Sequence, residues 1–323
     1  LNFKCAEKSS TERLALFLCL AYINTIIVCR KTPMHPLAQH PFLKMNGIGN
    51  AILVVDLRNT DYVLTPEDAR AIAQGPDTPF DQLMVLYPPR LPQTAAYMKI
   101  FNCDGSLSAA CGNGTRCVAW ALTEQTGQTS LLLESDAGLL VCEKNDAWHF
   151  SVDMGPPNLE WQKIPLSFAV ADTDQVPIAL DPSFGLKLPV ASAVNMGNPH
   201  AVFFVPDASA IKLETIGPAL EHHSAFPEKA NISMAQMLSR SEMILRVWER
   251  GAGLTLACGS GACAAAVAAI RRGLAERKIL VHLPGGDLSI EWRSHDNHVV
   301  MSGLVELEAR MVFNPHLFGT QAA

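Results

Sequence analysis

Two cysteines stand where chemistry can be done. Cys258 opens C-G-S-G-A-C-A-A-A-V-A-A, a thiol set before Gly-x-Gly and an alanine-rich run. Glycines let the backbone come close to a bound group, and the unpaired N–H groups of a helix's first turn point outward, where an anion can accept them. The same positive helix end favours thiolate, so Cys258 is expected to be partly ionised near neutral pH. Cys111 opens a second copy, C-G-N-G, followed by residues 115–126, which read as another apolar helix.

The elements that must position these thiols also come twice. Strand-like runs at 131–134, 139–142 and 150–154, with a turn at Ala137-Gly138, return at 279–283, 288–292 and 299–301, with a turn at Gly285-Gly286. Cys111 and Cys258, Gly138 and Gly285, and Met154 and Met301 are each 147 positions apart. A fixed interval across unrelated residue types marks an internal duplication. Halves related by a pseudo-twofold axis would aim both helix openings into one cleft, with a cysteine on each side.

Other segments fill in the frame. Thr65-Pro66-Glu67-Asp68 reads as a capped helix start, residues 97–101 as a strand ending in the turn Asn102-Cys103-Asp104-Gly105, and 213–222 as a helix. Residues 242–248 alternate as a strand that delivers Glu249-Arg250 to a Gly-Ala-Gly turn. The stretch 159–189 is Pro-rich and poorly periodic, which predicts loops or edge strands. Residues 304–313 are expected to cross back onto the first half.

F-N-C-D-G-S with A-C-G-N-G-T-R-C, then N-M-G-N-P-H, then E-R-G-A-G-L-T-L-A-C-G-S-G-A-C occur in that order. The set resembles the diaminopimelate epimerases, pyridoxal-independent amino-acid epimerases, from about residue 42 to about residue 313. The expected fold is therefore α/β (α+β): two pseudo-symmetric domains, each a β-rich sheet or barrel around a central helix, with the active site in the cleft between them. The domains would be 42–155, joined by a C-terminal strand at about 307–320, and 156–306. The implied activity is isomerisation of LL- to meso-diaminopimelate with no cofactor and no metal, in lysine and peptidoglycan precursor biosynthesis.

The resemblance also implies roles. Cys111 and Cys258 are the acid/base pair, and Gly112, Asn113, Gly259 and Ser260 bind the carboxylate at the reacting carbon, Ser260 replacing the usual threonine. His200 and Glu249 tune or relay protons for the thiols. Arg250 offers a fork to the distant carboxylate, with Asn102, Asn198 and Asn231 around that end, and Asn50 and Gln82 complete the pocket. The family usually has histidine where Asn46 stands, V-N-x-G where this chain has Ala230-Asn231-Ile232-Ser233, and alanine at Cys103, which is read as a packing thiol. Two thiols on opposite faces of an α-carbon can invert it without moving the substrate, provided one is thiolate and the other thiol.

Composition sets the bounds. A chain of 323 residues, 49% hydrophobic, can bury a large core and divides naturally into two domains. A net charge of −6 with no basic stripe argues against nucleic acid. Nine cysteines, an odd number without a secreted framework or C-x2-C spacing, suit a reducing, cytoplasmic setting and no metal site. Residues 14–28 are apolar, but at about 22 Å they fall short of a hydrocarbon core of about 30 Å. Residues 1–40 are read as an extension outside the fold, with a membrane or targeting segment as the rival. The partner expected is a small-molecule substrate, no membrane is expected, and a homodimer stays open.

Other readings stand beside this one. A proline-racemase-like enzyme shares the two-thiol logic. A phenazine-biosynthesis-like isomerase or a non-catalytic anion-binding protein on the same fold would not require cysteine at both helix openings. A phosphate-binding protein is disfavoured, because no G-x4-G-K-[ST] is present.

Overall fold

The computed structural model describes residues 34–108 and 110–319. The chain falls into two units, one holding residues 34–40 and 313–319 among those described, the other Pro41–Val312. In the smaller unit Gln39 N–H donates to the Phe313 carbonyl at 2.9 Å, and the His35 ring stacks on Phe318 at 4.3 Å. The reading of residues 1–40 as an extension falls, for residues 1–33, outside the described residues. No helix among the described residues is long and apolar enough to cross a membrane.

The larger unit runs through one series of elements twice. The first is β1 (Pro41–Asn46), β2 (Ala51–Asp56), α1 (Pro66–Ala73), β3 (Gln82–Tyr87), β4 (Ala96–Asn102), β5 (Leu107–Ser108), α2 (Gly112–Thr126), β6 (Ser130–Ser135), β7 (Gly138–Lys144) and β8 (His149–Asp153). The second is β9 (Ser192–Asn195), β10 (Pro199–Phe204), α3 (Leu213–Glu221), β11 (Asn231–Met237), β12 (Glu242–Glu249), β13 (Gly253–Thr255), α4 (Gly259–Arg271), β14 (Lys278–Leu283), β15 (Gly286–Trp292) and β16 (Val299–Leu304). A last strand, β17 (Glu306–Val312), returns to pair antiparallel with β1, as the sequence led us to expect.

Strand pairing repeats with the elements. The parallel pairs β2–β3 and β4–β6 span α1 and α2, and the parallel pairs β10–β11 and β12–β14 span α3 and α4. A helix is the usual crossover between parallel neighbours. The remaining pairs within each series are antiparallel, and β8 joins β16 antiparallel, with Val152 opposite Met301. The fold class is thus the mixed α/β arrangement expected.

Each series closes on its second helix. α1 starts where Thr65 accepts the Asp68 N–H while Asp68 accepts the Thr65 N–H, a reciprocal cap. α2 and α4 begin at Cys111 and Cys258, whose extended φ values of −147 and −122 set the thiols at the helix mouths. α4 has no polar stripe: from Ala262 to Ala269 it is buried all round, which suits a helix enclosed by strands. α2 carries the same load with Val118, Trp120 and Leu122 among β2, β3, β6 and β8 side chains. A third cluster sets Leu213, Ile216 and Leu220 of α3 against Phe203, Ile232 and Met234. The stretch 159–189 is loop, as expected, with one 3-10 turn at Pro182–Phe184, yet it supplies Ile164, Leu166, Val176 and Ile178 to that cluster.

Trp120 is 3% exposed and stacks on Trp148 at 5.4 Å. Trp120→Ala should therefore cost about 3–5 kcal/mol. Urea denaturation followed by circular dichroism measures this directly; a loss under 1 kcal/mol would mean that α2 is held by other contacts.

Candidate active site

The first thiol is held from three sides. Gly114 N–H donates to Cys111 Sγ at 3.3 Å, and Sγ lies 3.4 Å from Gln82 Oε1 and 3.9 Å from Asn50 Oδ1. The parallel register of β2 and β3 sets Ile52 opposite Gln82, bringing both amides to one sulfur. Asp81 fixes the nearer end of this arrangement: its carboxylate accepts Asn50 Nδ2–H at 3.0 Å and Ala51 N–H at 2.8 Å. On the other side Cys258 Sγ lies 3.6 Å from Ser260 Oγ. The two helix mouths meet at Met301. A Cβ on Gly112 would run into its methyl group, and one on Gly259 would sit 2.9 Å from its sulfur and 3.4 Å from Asn113 Oδ1.

Both mouths open on one polar cleft with a volume of about 1010 Å³. Cys111, Cys258, Asn50, Gln82, Asn102, Gly112, Asn113, Asn198, Asn231, Glu249, Arg250, Gly259 and Ser260 all line it. Cys111 is half-buried and Cys258 is 4% exposed. The expectation of a partly ionised Cys258 does not hold. Burial pushes the Cys111 thiol up to about 11 and Cys258 well above the usual thiol range, and the Glu249 charge adds to both shifts. The helix-mouth N–H groups pull the other way, but desolvation outweighs them. Glu249 itself is pushed up by burial, against hydrogen bonds from Thr255, at 2.6 Å, and from Cys258.

The distal end is braced through backbone. Arg250 N–H donates to Asn231 Oδ1 at 2.9 Å, and Arg250 Nη1 donates to the Glu228 carbonyl at 3.0 Å. Asn231 Nδ2 donates to the Pro199 carbonyl at 3.1 Å, tying the parallel pair β10–β11 together beneath the arginine. The turn after Arg250 passes through Gly251 at φ 78, a left-handed position that favours glycine. Buried Glu221 takes the Gly251 N–H at 3.1 Å and Trp248 Nε1–H at 2.8 Å. Asn102 ends β4 and donates to Ser106 Oγ at 3.0 Å.

His200 is the predicted residue that does not line the cleft. It is fully buried, and its Nε2–H donates to Asn198 Oδ1 at 2.8 Å. Burial, with the Arg250 charge second, pushes its pKa down to about 3, so the ring is neutral. Its contact is with Asn198 rather than with either thiol. Cys103 is a correction: it is exposed at the rim of the cleft, not packed. It stands in a turn closed by Asp104 accepting the Ser106 N–H at 2.8 Å; α1 covers that turn at Gly105, while Cys103 itself is left exposed. Asp81 and Thr255 were missed by sequence reasoning, although Asp81 directly precedes Gln82. Among the described residues Asp153, Asp296 and His298 bring three ligand-type atoms within 4.8 Å, away from the cleft lining, where Arg293 already pairs with both carboxylates.

The profile of the diaminopimelate epimerase family matches residues 42–160 and 192–308. Curated diaminopimelate epimerases from a Methylobacterium species and from Methylocella silvestris are 53% and 52% identical, each over 90% of this chain and the whole of the relative. Among solved structures, a probable proline racemase from Agrobacterium radiobacter shares the fold, with a TM-score of 0.63 at 14% identity over 86% of this chain and 94% of its own. The two matched segments carry the two thiols, and at this level of identity over this length the chain belongs to the diaminopimelate epimerase family.

Proposed function

We propose that this chain inverts one α-carbon of LL-diaminopimelate to give meso-diaminopimelate, using its own side chains for proton transfer. The observation that carries this reading is the pair of thiols at two helix mouths that meet at Met301, both thiols lining one cleft. Cys111 and Cys258 would stand on opposite faces of the carbon, one taking the proton as thiolate while the other delivers its own. The N–H groups at Gly112, Asn113, Gly259 and Ser260 receive the carboxylate, which gains charge as the proton leaves, so these dipoles favour the transition state over bound substrate. Arg250 takes the far carboxylate, with Asn102, Asn198 and Asn231 beside it. His200 supports Asn198, Glu249 adjusts Cys258, and Asn50 and Gln82 orient Cys111.

The buried start of the reaction explains the raised thiols. Burial at the base of the cleft strengthens every dipole aimed at the developing charge, and the same burial penalises a free thiolate. The described cysteines are free thiols, which supports work in the reducing cytoplasm, and the acidic chain supports a small-molecule partner rather than nucleic acid. A homodimer is compatible with this reading.

Deuterium should enter Cα of LL-diaminopimelate from D2O in buffer with no pyridoxal phosphate and with chelator present. Absence of exchange under these conditions, restored by an added cofactor, would overturn the two-thiol reading. Arg250→Lys keeps the charge but loses the fork, so kcat/KM should fall about 10- to 100-fold; an unchanged value removes Arg250 from the substrate. Glu249→Gln takes away a negative charge that raises both thiols, so their pKa values should fall. Iodoacetamide should then label Cys258 faster at pH 8, by up to about tenfold per pKa unit, while epimerisation slows. Slower labelling would show that Glu249 acts mainly as a base.

A further inference from the structure

Arg116 sits on α2 with 0% exposure, and none of its three side-chain nitrogens has a hydrogen-bond partner among the described residues. A guanidinium stays charged in a protein, and an isolated buried charge costs several kcal/mol unless an opposite charge answers it. The place is nevertheless built for it. A Cβ on Gly303 would lie 2.6 Å from Leu288 Cδ2, 3.2 Å from Arg116 Cζ and 3.3 Å from Nε, so by carrying glycine there β16 leaves room for both the leucine and the guanidinium. The titratable groups acting on Arg116 are Cys117 on its own helix, Cys111 at that helix's mouth and Cys263 on α4. Cys117 and Cys263 are sealed at 0% exposure, whereas Cys111 lines the cleft and can give up its proton.

The duplication sharpens this. Applying the 147-residue interval, Arg116 corresponds to Cys263 and Asn102 corresponds to Glu249. At these equivalent positions the first half carries a cation and a neutral amide, while the second carries a neutral thiol and a carboxylate. Both differences favour negative charge on Cys111 over Cys258. The groups acting on Cys111 are Glu249 from the end of β12 and Arg116 from α2, and Asp81 acts on Glu249 in turn. Cys258 faces Glu249 and Ser260.

We propose that Arg116 is the buried counter-ion of the Cys111 thiolate, a positioning residue that makes Cys111 rather than Cys258 the sulfur that ionises first. It touches no substrate. It biases which of two otherwise matched thiols begins a turnover as the base, the proton of Cys111 passing to water. The proposal rests on the two-thiol reading, but alkylation is measured without substrate, so its failure is distinct from a failure of isotope exchange.

The test is iodoacetamide labelling of the full chain from pH 7 to 10, with each cysteine followed by peptide mapping, which also separates exposed Cys103. In the unaltered protein at limiting reagent, Cys111 should be labelled at least tenfold faster than Cys258; equal labelling, or Cys258 first, overturns the proposal without any variant. Arg116→Met removes the charge while keeping bulk. Cys111 labelling should fall at least tenfold at every pH below its inflection, Cys258 by less than threefold, and kcat should drop with KM little changed. Arg116→Lys should restore Cys111 labelling to within about threefold. A folded Arg116→Met protein with an unchanged Cys111 profile, or an Arg116→Lys protein as impaired as the methionine variant, would reduce Arg116 to a packing role.

Discussion

Enclosing two ionisable sulfurs in one protein cleft sets the terms for everything around them. A thiolate is poorly solvated there, and burial lifts both thiols above their usual range. The polar features near the sulfurs work against that penalty or shape it: N–H groups of two helix mouths, the amides of Asn50 before β2 and Gln82 on β3, and a carboxylate ending β12. A cleft open to water would ionise its thiols more readily but would weaken each of those dipoles.

Such enclosure needs a fold that can bring two helix starts to one point. Each half provides one by wrapping strands around a helix with small or apolar side chains on all sides. The alanine row of α4 lets the surrounding strands close tightly, and the glycines after each cysteine leave space for Met301 between the mouths. The thiols therefore depend on residues that never meet a ligand. Met301 lies on β16, the strand that links the halves through β8, so the junction of the sheet and the meeting point of the mouths are the same place.

The halves agree in topology and differ in charge. β4 and β12 run equivalent courses, yet one ends in Asn102 and the other in Glu249. The neutral, fully buried His200 shows the same economy: its ring spends its donor on Asn198, and Asn231 spends its amide on the backbone that carries Arg250. Rigid support for the polar groups around a substrate limits the reorganisation needed when charge develops.

Much of this was legible in the chain by itself. Glycine spacing after a cysteine, capping residues at 65–68, alternation along 242–248 and the 147-residue interval are local or periodic signals, and they located the helix mouths, most strands and the returning strand at 306–312. The other cleft-lining residues came from the family resemblance, carried by motifs that sit at the ends of those elements. Burial and long-range charge were not legible, since they depend on residues far apart in sequence. Only the tertiary structure decided that the thiols are raised rather than lowered, that His200 stands behind Asn198, and that Cys103 faces solvent. It alone set Gly303 against Arg116, 187 positions away in the chain. Local sequence specifies where a helix begins; how much water and charge surround that beginning is settled by what the rest of the chain packs upon it.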